Sequence, residues 1–237
     1  MILAILQARM SSSRLPGKVL KDLVGRPMLG RQIDRLRRCR TIDRLVIATS
    51  VDQSDAAISA FAAAEGIGCH RGPLNDVLGR YAETADKFGP ADHVVRLTAD
   101  CPLTDPQVID DVIALHLRER ADYTSNSVER TFPKGLDVEV MTQAALMRAH
   151  AEADTPSHRE HVTMYIYRNP ELFRIVQHRQ HPDRSALRWT VDYPQDFAMV
   201  EQVYRLLLPE ATEFGQAEIL ACLAEHPGIA AMNEGLV

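Results

Sequence analysis

Apolar residues in the first half of the chain occur in short unbroken runs, and the segments between these runs have helical spacing. The runs are short and β-branched, which favours buried strands of a parallel sheet; they are Met1–Leu6, Leu45–Thr49, Ile67–His70 and His93–Thr98. The helical segments are Pro27–Arg40, a stretch capped by Asp52 or Ser54 that stops at Gly66, a stretch capped by Asn75 and closed by Gly89-Pro90, and a stretch from Asp105-Pro106 to Leu115. This alternation predicts parallel strands joined by right-handed crossovers, hence a layered α/β fold.

The pattern changes at Ala121, after which the apolar runs are shorter and no longer alternate regularly with helices. The strands predicted here are Tyr123–Ser127, Leu136–Met141, Phe173–Gln177 and Leu187–Val191. The helices predicted here are Thr142–Ala151, His158–Tyr167, Pro194–Leu208 and Gln216–Ala224. We therefore expect one domain over residues 1–237, with an insertion or mixed-sheet half over 121–192 and closing helices over 193–237.

The composition is that of an ordinary globular protein, with 46% hydrophobic and 25% charged residues in a chain of 237. No apolar stretch is long enough to span a membrane, and Met1–Leu6 is too short for a signal peptide and lacks its basic flank. The cysteines form no CxxC pair and lie far apart, which argues against a zinc site or a disulfide framework; they are Cys39, Cys69, Cys101 and Cys222. We expect a cytoplasmic protein with no membrane partner.

Positive charge is concentrated at the N-terminus, although the net charge of the chain is -5. Residues 1–44 contain eleven Lys and Arg against three Asp, so this segment would attract an anionic ligand. Nucleic acid is the rival anion, and its footprint would be the arginines of one predicted helix, Arg35, Arg37, Arg38 and Arg40. The overall acidity, the aromatic content of 5% and the lack of a recognisable binding module argue against nucleic acid.

The loop that follows the first strand, Gln7–Leu20, combines small and cationic residues. Small residues let the backbone approach a ligand and present N–H groups, while the cations add positive charge. These residues are Ser11, Ser12, Ser13 and Gly17, together with Arg9, Arg14 and Lys18. The combination suits a polyphosphate, although neither G-x-G-x-x-G nor G-x-x-x-x-G-K-[ST] is present. The alternative is a solvated basic surface.

Two aspartates end strand-like runs in equivalent settings. Asp100 follows Val94–Ala99, and Asp192 follows Leu187–Val191. Each aspartate is succeeded by one residue and a proline, so it would stand at the carboxyl edge of the sheet, where open α/β folds bind ligands. Two carboxylates beside a cationic loop are a usual way to hold Mg²⁺ together with phosphate oxygens and water. The alternative for either aspartate is a helix cap.

Further candidates lie in the second half of the chain. Asp137 and Glu139 fall on one strand face by period two, where they could bind a hydroxylated acceptor or a second cation. His158 and His161 share a helical face but lack a third ligand for a metal, and Arg159 could bind an acidic acceptor. The same groups could instead form a salt-bridge network or an exposed sheet face. Residues that could meet a base or ribose are Arg71, Asp76 and Arg80.

Five stretches of the chain carry a family resemblance; they are Gln7–Lys18, Thr98–Leu103, Gly135–Val140, Arg159–Thr163 and Thr190–Pro194. In this order they resemble the spore coat polysaccharide biosynthesis protein F family, and the similarity covers nearly the whole chain. That family is cytidylyltransferase-like and is similar to the synthetases of CMP-activated keto-sugar acids such as 3-deoxy-manno-octulosonate. Its most specific feature here is the ending Arg-Leu-Pro-Gly-Lys of the first stretch.

The resemblance implies a Rossmann-like fold of the nucleotide-diphospho-sugar transferase (GT-A-like) type, a three-layer sandwich with a mostly parallel sheet and a mixed-sheet insertion. It also implies CTP as donor, Mg²⁺ as cofactor and a homodimer. Residues 1–120 would form the nucleotide-binding half and 121–192 the acceptor and dimer-forming half. By correspondence, Arg9, Arg14 and Lys18 would bind the triphosphate, and Asp100 and Asp192 the metal. We expect the other residues of the loop, Gln7, Ala8, Ser11, Ser12 and Ser13, to belong to the same nucleotide site.

We therefore expect an acceptor oxygen to attack the α-phosphorus of CTP, with pyrophosphate leaving, in the synthesis of a surface polysaccharide precursor. Arg14 and Lys18 would stabilise the departing pyrophosphate, and the two aspartates would hold Mg²⁺ on the α-phosphate. One alternative is a nucleotide-sugar-dependent glycosyltransferase of GT-A type, which usually carries Asp-x-Asp where this chain has Asp100-Cys101-Pro102. Another is a nucleotide-binding subunit without turnover.

Overall fold

A computed structural model of the chain describes residues 1–211 and 213–236. Its strands are β1 (Ile2–Gln7), β2 (Arg44–Ser50), β3 (Gly68–Gly72), β4 (His93–Thr98), β5 (Tyr123–Ser125), β6 (Glu139–Thr142) and β7 (Ile175–Gln177). They form one sheet of seven strands in the order β3-β2-β1-β4-β6-β5-β7. Among the described strands, β6 alone runs antiparallel to its neighbours β4 and β5, so the sheet is mostly parallel, as predicted.

Ten helices accompany the sheet within the described residues. They are α1 (Met28–Leu36), α2 (Ala56–Ala64), α3 (Val77–Phe88), α4 (Pro106–Glu119), α5 (Gln143–Glu152), α6 (Pro156–Glu160), α7 (Met164–Arg168), α8 (Pro194–Leu207), α9 (Gln216–Glu225) and α10 (Pro227–Ala230). None of these helices combines the length and apolarity needed to cross a lipid bilayer.

The sheet separates two hydrophobic cores because successive side chains of a strand point to opposite faces. On β1, Ala4 and Leu6 belong to a core shared with α1, α2, α4, α8 and α9, whereas Leu3 and Ile5 belong to a core shared with α3, α5 and α7. All four of these side chains are fully buried. The predicted three-layer α/β sandwich is therefore confirmed.

Helix starts in the first half follow the sequence closely, with two corrections. Asp52 caps the 3₁₀ turn Gln53–Asp55, by accepting the Ser54 N–H at 2.9 Å, and Asp55 is the N-cap residue of α2. The Asp105 carboxylate accepts a hydrogen bond from the Gln107 N–H at 2.8 Å, and Pro106 is the first residue of α4, as predicted. For α3 the predicted cap Asn75 is wrong. Asp76 caps this helix, because its carboxylate accepts the Gly79 N–H at 2.8 Å.

The strand predicted over Leu187–Val191 is wrong, since this segment forms only an isolated bridge between Arg188 and Lys134. Its backbone groups are divided between two partners. Trp189 N–H donates to the Lys134 carbonyl (2.7 Å), and Val191 N–H donates to the Asp100 carbonyl (2.8 Å). The segment passes so close to Gly135 (φ 113°) that a Cβ on this residue would lie 2.5 Å from the Thr190 nitrogen. The segment therefore bridges two loops instead of extending the sheet.

The helix predicted over His158–Tyr167 is also wrong as a single element, because the chain breaks between α6 and α7. Val162 at the break has φ 50°, a left-handed conformation that β-branched residues rarely adopt. The break lets the Thr163 hydroxyl donate to the buried Glu139 carboxylate at 2.5 Å. A buried hydrogen bond to a carboxylate compensates for the local backbone strain.

Candidate functional site

Backbone hydrogen bonds hold the loop between β1 and α1 at the carboxyl edge of the sheet. The Ala8 N–H donates to the Ala48 carbonyl (3.1 Å), and the Met10 N–H donates to the buried Asp55 carboxylate (2.6 Å). Gly17 has φ 71°, which glycine adopts readily, and its N–H donates to the Met10 carbonyl (3.0 Å). The loop is thus folded back on itself, with its cationic side chains beside the edge of the sheet.

Asp100 and Asp192 meet because the backbones around them are joined. The Asp100 carbonyl accepts the Val191 N–H (2.8 Å) and the Thr190 hydroxyl (3.2 Å). Lys18 Nζ lies 3.7 Å from Asp100 Oδ2 and 3.1 Å from Asp192 Oδ1. These two oxygens therefore lie no further apart than the sum of the two distances, and one ammonium group contacts both.

The Asp192 carboxylate has a cation on each oxygen. Arg14 Nη2 lies 3.0 Å from Oδ1, which also contacts Lys18, and Arg188 Nη2 lies 3.0 Å from Oδ2. Burial raises the pKa of Asp192, but the Lys18 ammonium and the Arg14 guanidinium outweigh this effect and hold the pKa below its ordinary value. The carboxylate is therefore ionised at neutral pH.

The alternative in which Asp192 caps α8 does not match the contacts. Tyr193 is the N-cap residue, and the carboxylate that accepts the Tyr193 N–H is that of Asp196, at 2.9 Å. Asp100 likewise precedes no helix start, and its Oδ1 accepts the Thr98 hydroxyl at 2.6 Å. Both carboxylates are thus free of a capping role.

These groups line a cavity of about 530 Å³, which we call the loop cavity. Its lining includes most of the predicted nucleotide-site and metal-site residues, namely Gln7, Ala8, Arg9, Ser12, Ser13, Arg14, Lys18, Asp100 and Asp192. The Gln7 side-chain oxygen is buried without a hydrogen-bond partner among the described residues, which leaves an acceptor for a ligand. Lys134 and His161 also line the cavity.

Other predicted nucleotide-site residues lie outside that lining, namely Ser11, Arg71, Asp76 and Arg80. Arg71 donates to the Ser50 and Asp52 carbonyls, at 3.0 and 2.7 Å. Arg80 donates to the Pro73 carbonyl at 2.7 Å, and burial lowers the pKa of its guanidinium. These arginines support the loops around β3 and α3 in the structure described here.

A second cavity of about 770 Å³, which we call the arginine cavity, adjoins the first, because Thr98 and His161 line both. Its other lining residues are Arg96, Ser127, Val128, Arg130, Asp137, Glu139, Thr163, Met164, Tyr167 and Arg168. Asp137 and Glu139 therefore open onto one space, as their spacing predicted. Each carboxylate has its own arginine, since Arg130 pairs with Asp137 and Arg96 with Glu139.

Glu139 is the more deeply fixed of these two carboxylates. Its Oε1 accepts the hydroxyls of Tyr123 and Thr163, each at 2.5 Å, and its other oxygen contacts Arg96. Burial raises the pKa of Glu139, but Arg96 and the two hydroxyls outweigh burial and hold the pKa below its ordinary value. The Arg96 Nε is buried without a partner in the described part of the chain. Glu139 is therefore ionised and enclosed.

The structure separates His158 and Arg159 from Asp137 and Glu139, with which the sequence grouped them. Arg159 Nε donates to Asp76 at 2.9 Å, and Arg159 Nη1 donates to the His150 carbonyl at 2.7 Å. The His158 ring packs edge-on against Tyr165, with centroids 5.6 Å apart. Because the chain breaks after α6, His161 is the residue of this stretch that reaches the two cavities.

The residues around Lys18 fit a divalent cation that shares its coordination with a ligand. No cluster of three or more His, Cys, Asp and Glu side chains suited to a metal occurs within 1–211 and 213–236. Asp100 and Asp192 nevertheless supply two hard oxygen donors at the edge of the loop cavity. Mg²⁺ is commonly bound by one or two carboxylates, with water and phosphate oxygens completing its shell.

Four contributors to this site carried no sequence signal strong enough to single them out. Lys134 precedes the Gly135 stretch and could have been suspected from that position alone. His161 carries only the weak metal signal of its spacing from His158. Arg188 and Asp196 flank Asp192, but their contacts depend on the bridge formed by residues 188–191, which the strand pattern does not reveal.

The chain is similar to known proteins along most of its length. A family model described as cytidylyltransferase matches residues 3–220. The spore coat polysaccharide biosynthesis protein SpsF of Bacillus subtilis is 32% identical over 241 residues, which cover 98% of each chain.

Two solved structures are also similar. A cytidylyltransferase from Leptospira borgpetersenii superposes with a TM-score of 0.93 at 29% identity, covering 100% of this chain and 98% of that one. A CMP:2-keto-3-deoxy-manno-octonic acid synthetase, solved with CTP, superposes with a TM-score of 0.62 at 18% identity, covering 89% and 99%. At that identity the second likeness shows the fold alone.

Proposed function

Because the chain belongs to the cytidylyltransferase family, we propose that it transfers CMP from CTP to a small anionic or sugar-acid acceptor and releases pyrophosphate. The product would serve the biosynthesis of a surface polysaccharide or glycan. The observation that carries the proposal is the pair of adjoining cavities, one with a lysine between two aspartates and the other lined by arginines. A nucleotide and an acceptor need adjacent sites of this kind, so that the reacting atoms meet.

The loop cavity is suited to the triphosphate. Arg9, Arg14, Lys18 and Lys134 line it against two carboxylates, so cationic groups are in excess. Lys18 and Arg14 would move from Asp192 onto phosphate oxygens and neutralise the charge that develops on the leaving pyrophosphate. Gln7 would accept a hydrogen bond from the nucleoside, since its side-chain oxygen is buried and unpartnered in the described structure.

We propose Mg²⁺ as the cofactor, held by Asp100 and Asp192 with phosphate oxygens and water. When bound, the ion would supply charge neutralisation at the α-phosphate. The two aspartates would fix its place beside the loop, because Asp100 is tied to the backbone of residues 190–191. Before the ligand binds, Lys18 lies between the same two carboxylates and keeps them close together.

The arginine cavity is suited to the acceptor. Arg130 and the exposed Arg168 offer guanidinium groups to a carboxylate, and Asp137 offers oxygens to hydroxyl groups. Glu139 would act mainly by holding Arg96 in the wall. Two residues line both cavities, Thr98 and His161. We assign the imidazole of His161 to take the proton of the attacking hydroxyl.

The family resemblance also supports a cytoplasmic homodimer, with the dimer contact in residues 121–192. The oligomeric state is measured directly by size-exclusion chromatography with light scattering, for which we expect twice the chain mass of 26.5 kDa. A particle of the chain mass itself would refute the dimer.

The function is tested by incubating the purified protein with CTP, Mg²⁺ and a panel of sugar acids and polyols, and by measuring both pyrophosphate and CMP conjugates. We expect both products in equal amounts with at least one acid, and neither in EDTA. In a parallel reaction with a nucleotide sugar in place of CTP, transfer of the sugar without release of pyrophosphate would favour a glycosyltransferase. CTP binding without either product, across the whole panel, would favour a nucleotide-binding subunit.

A further inference from the structure

We infer that Asp196, Arg188 and Asn233 form a clamp that positions Asp192. Through Asn233, the C-terminal segment would help to orient an active-site carboxylate without lining the loop cavity. The inference rests on the proposed function, because it assigns Asp192 to the metal and nucleotide. None of the three clamp residues lines the loop cavity. They would therefore be positioning residues and would not touch the substrates.

Asp196 is the centre of the clamp. Its side chain is fully buried, and its Oδ2 accepts the backbone N–H groups of Asp192 and Tyr193, both at 2.9 Å. A buried carboxylate that binds two successive N–H groups fixes the direction of the chain at that point. The backbone of Asp192 is thereby set where the chain turns into α8.

Arg188 links the clamp to the carboxylate itself. Its Nε donates to Asp196 Oδ1 (2.9 Å), and its Nη2 donates to Asp192 Oδ2 (3.0 Å). The other oxygen of Asp192, Oδ1, faces Lys18 and Arg14. With its two oxygens held by different cations, the Asp192 carboxylate has a defined rotation, and Oδ1 is the oxygen presented to the loop cavity.

Asn233 adds a contact from the far end of the chain. It ends a short 3₁₀ turn after α10 and is buried. Its Nδ2 donates to Asp196 Oδ1 (2.8 Å) and to the Arg188 carbonyl (3.0 Å), so one amide joins both other members of the clamp. The cytidylyltransferase family model ends at residue 220, so this contact comes from outside the matched region.

The bonding pattern decides which variant tests the clamp. Loss of Asp196 would leave Arg188 buried beside a single carboxylate and would free two N–H groups, so the fold itself could fail. Loss of the Asn233 amide leaves Asp196 with the bonds from Arg188, Asp192 and Tyr193. Asn233→Ala should therefore loosen the position of Asp192 while the fold is kept.

The experiment compares wild type, Asn233→Ala, Asn233→Asp and a matched control, Asn169→Ala. Asn169 also donates to a backbone carbonyl, that of Tyr165 (2.6 Å), and takes no part in either cavity. CTP affinity is measured by calorimetry in Mg²⁺ and in EDTA, alongside turnover and melting temperature. Mutation of a residue that holds a metal ligand in place typically lowers metal affinity or activity by about 10- to 100-fold.

We expect Asn233→Ala to weaken CTP affinity in Mg²⁺ and to lower kcat by about 10-fold, with affinity in EDTA unchanged. Asn233→Asp should have a larger effect, because it places a carboxylate beside Asp196. Asn169→Ala should match wild type. Equal Mg²⁺-dependent CTP affinity in wild type and Asn233→Ala would overturn the clamp. A wild type that binds CTP but releases no pyrophosphate would instead overturn the proposed function and leave the calorimetric comparison valid.

Discussion

The two cavities use the same kinds of charged group in different ways. In the loop cavity, one buried lysine contacts two aspartates, and Asp192 is shared among Lys18, Arg14 and Arg188. In the arginine cavity, each carboxylate has its own arginine. Shared ion pairs can exchange partners when an anion enters, whereas a closed and buried pair cannot do so cheaply. We therefore expect the loop cavity to respond to charged ligands, and the wall of the arginine cavity around Glu139 to keep its shape.

Glu139→Gln should give the largest effect on stability. The substitution removes the charge of the buried Glu139 carboxylate, which pairs with Arg96 and accepts two hydroxyl groups, and breaking a buried pair in this way costs about 3–5 kcal/mol. Denaturant unfolding measures the loss. Asp137→Asn is the matched control, because the Asp137 pair with Arg130 is partly exposed and should cost about 1 kcal/mol or less. Equal losses of unfolding free energy in the two variants would show that the buried and the partly exposed ion pairs of this cavity do not differ in strength.

Asp192→Asn should give the largest effect on catalysis. If Asp100 and Asp192 share Mg²⁺, either Asp→Asn change should lower kcat by about 100-fold or more, the scale found when one stabilising group is removed from a transition state. Steady-state assays at saturating CTP measure this. Asp183→Asn is the control, since Asp183 is an exposed aspartate bound to the Ser185 N–H. Full activity in Asp192→Asn would exclude Asp192 from the metal site.

Lys18→Ala and Arg14→Ala should weaken CTP binding, because one charge-assisted contact to phosphate contributes about 1.5–3 kcal/mol. Lys18 should show the greater loss, since it is buried and contacts both aspartates, whereas Arg14 is exposed. Calorimetry gives the CTP affinities. Melting temperatures show whether the fold remains stable when Asp192 loses its contact with Lys18. Unchanged affinity in both variants would remove the loop from the nucleotide site.

Asp137→Ala should have the smallest of these effects, a fall in kcat/KM for the acceptor of about 10-fold or less with the CTP dissociation constant unchanged. Arg159→Ala should behave differently, because its guanidinium binds Asp76 and the His150 carbonyl. For this variant we expect a lower melting temperature and no selective fall in kcat/KM for the acceptor. A selective loss in Arg159→Ala would restore that residue to the acceptor site.

The sequence predicted the first half of the fold well because its signals there are local. Continuous apolar runs marked β1, β2 and β4, and Asp105 with Pro106 marked the start of α4. Predictions in the second half were less accurate, because its structure depends on distant partners. The segment Leu187–Val191 has the apolar pattern of a strand, but its hydrogen bonds go to Lys134 and Asp100.

The candidate site shows the same limit. The loop Gln7–Lys18 and the two aspartates could be proposed from the sequence because their residue types suggest an anion and a metal before any geometry is known. The partners of the acidic residues could not be found in this way. Arg96 pairs with Glu139 across two neighbouring strands, and Asn233 reaches Asp196 from the end of the chain. Such contacts depend on strand order and on the path of the chain.

The contact between Lys18 and Asp192 joins residues that are 174 positions apart in sequence, and the Thr190 contact to Asp100 spans 90. During synthesis the cationic loop therefore leaves the ribosome long before the carboxylate that accompanies it. Contacts of such long range form late in folding, because the intervening chain must be ordered first. We therefore expect the loop cavity to be among the last parts of the molecule to form. The recovery of CTP binding during refolding should then report the end of the folding reaction.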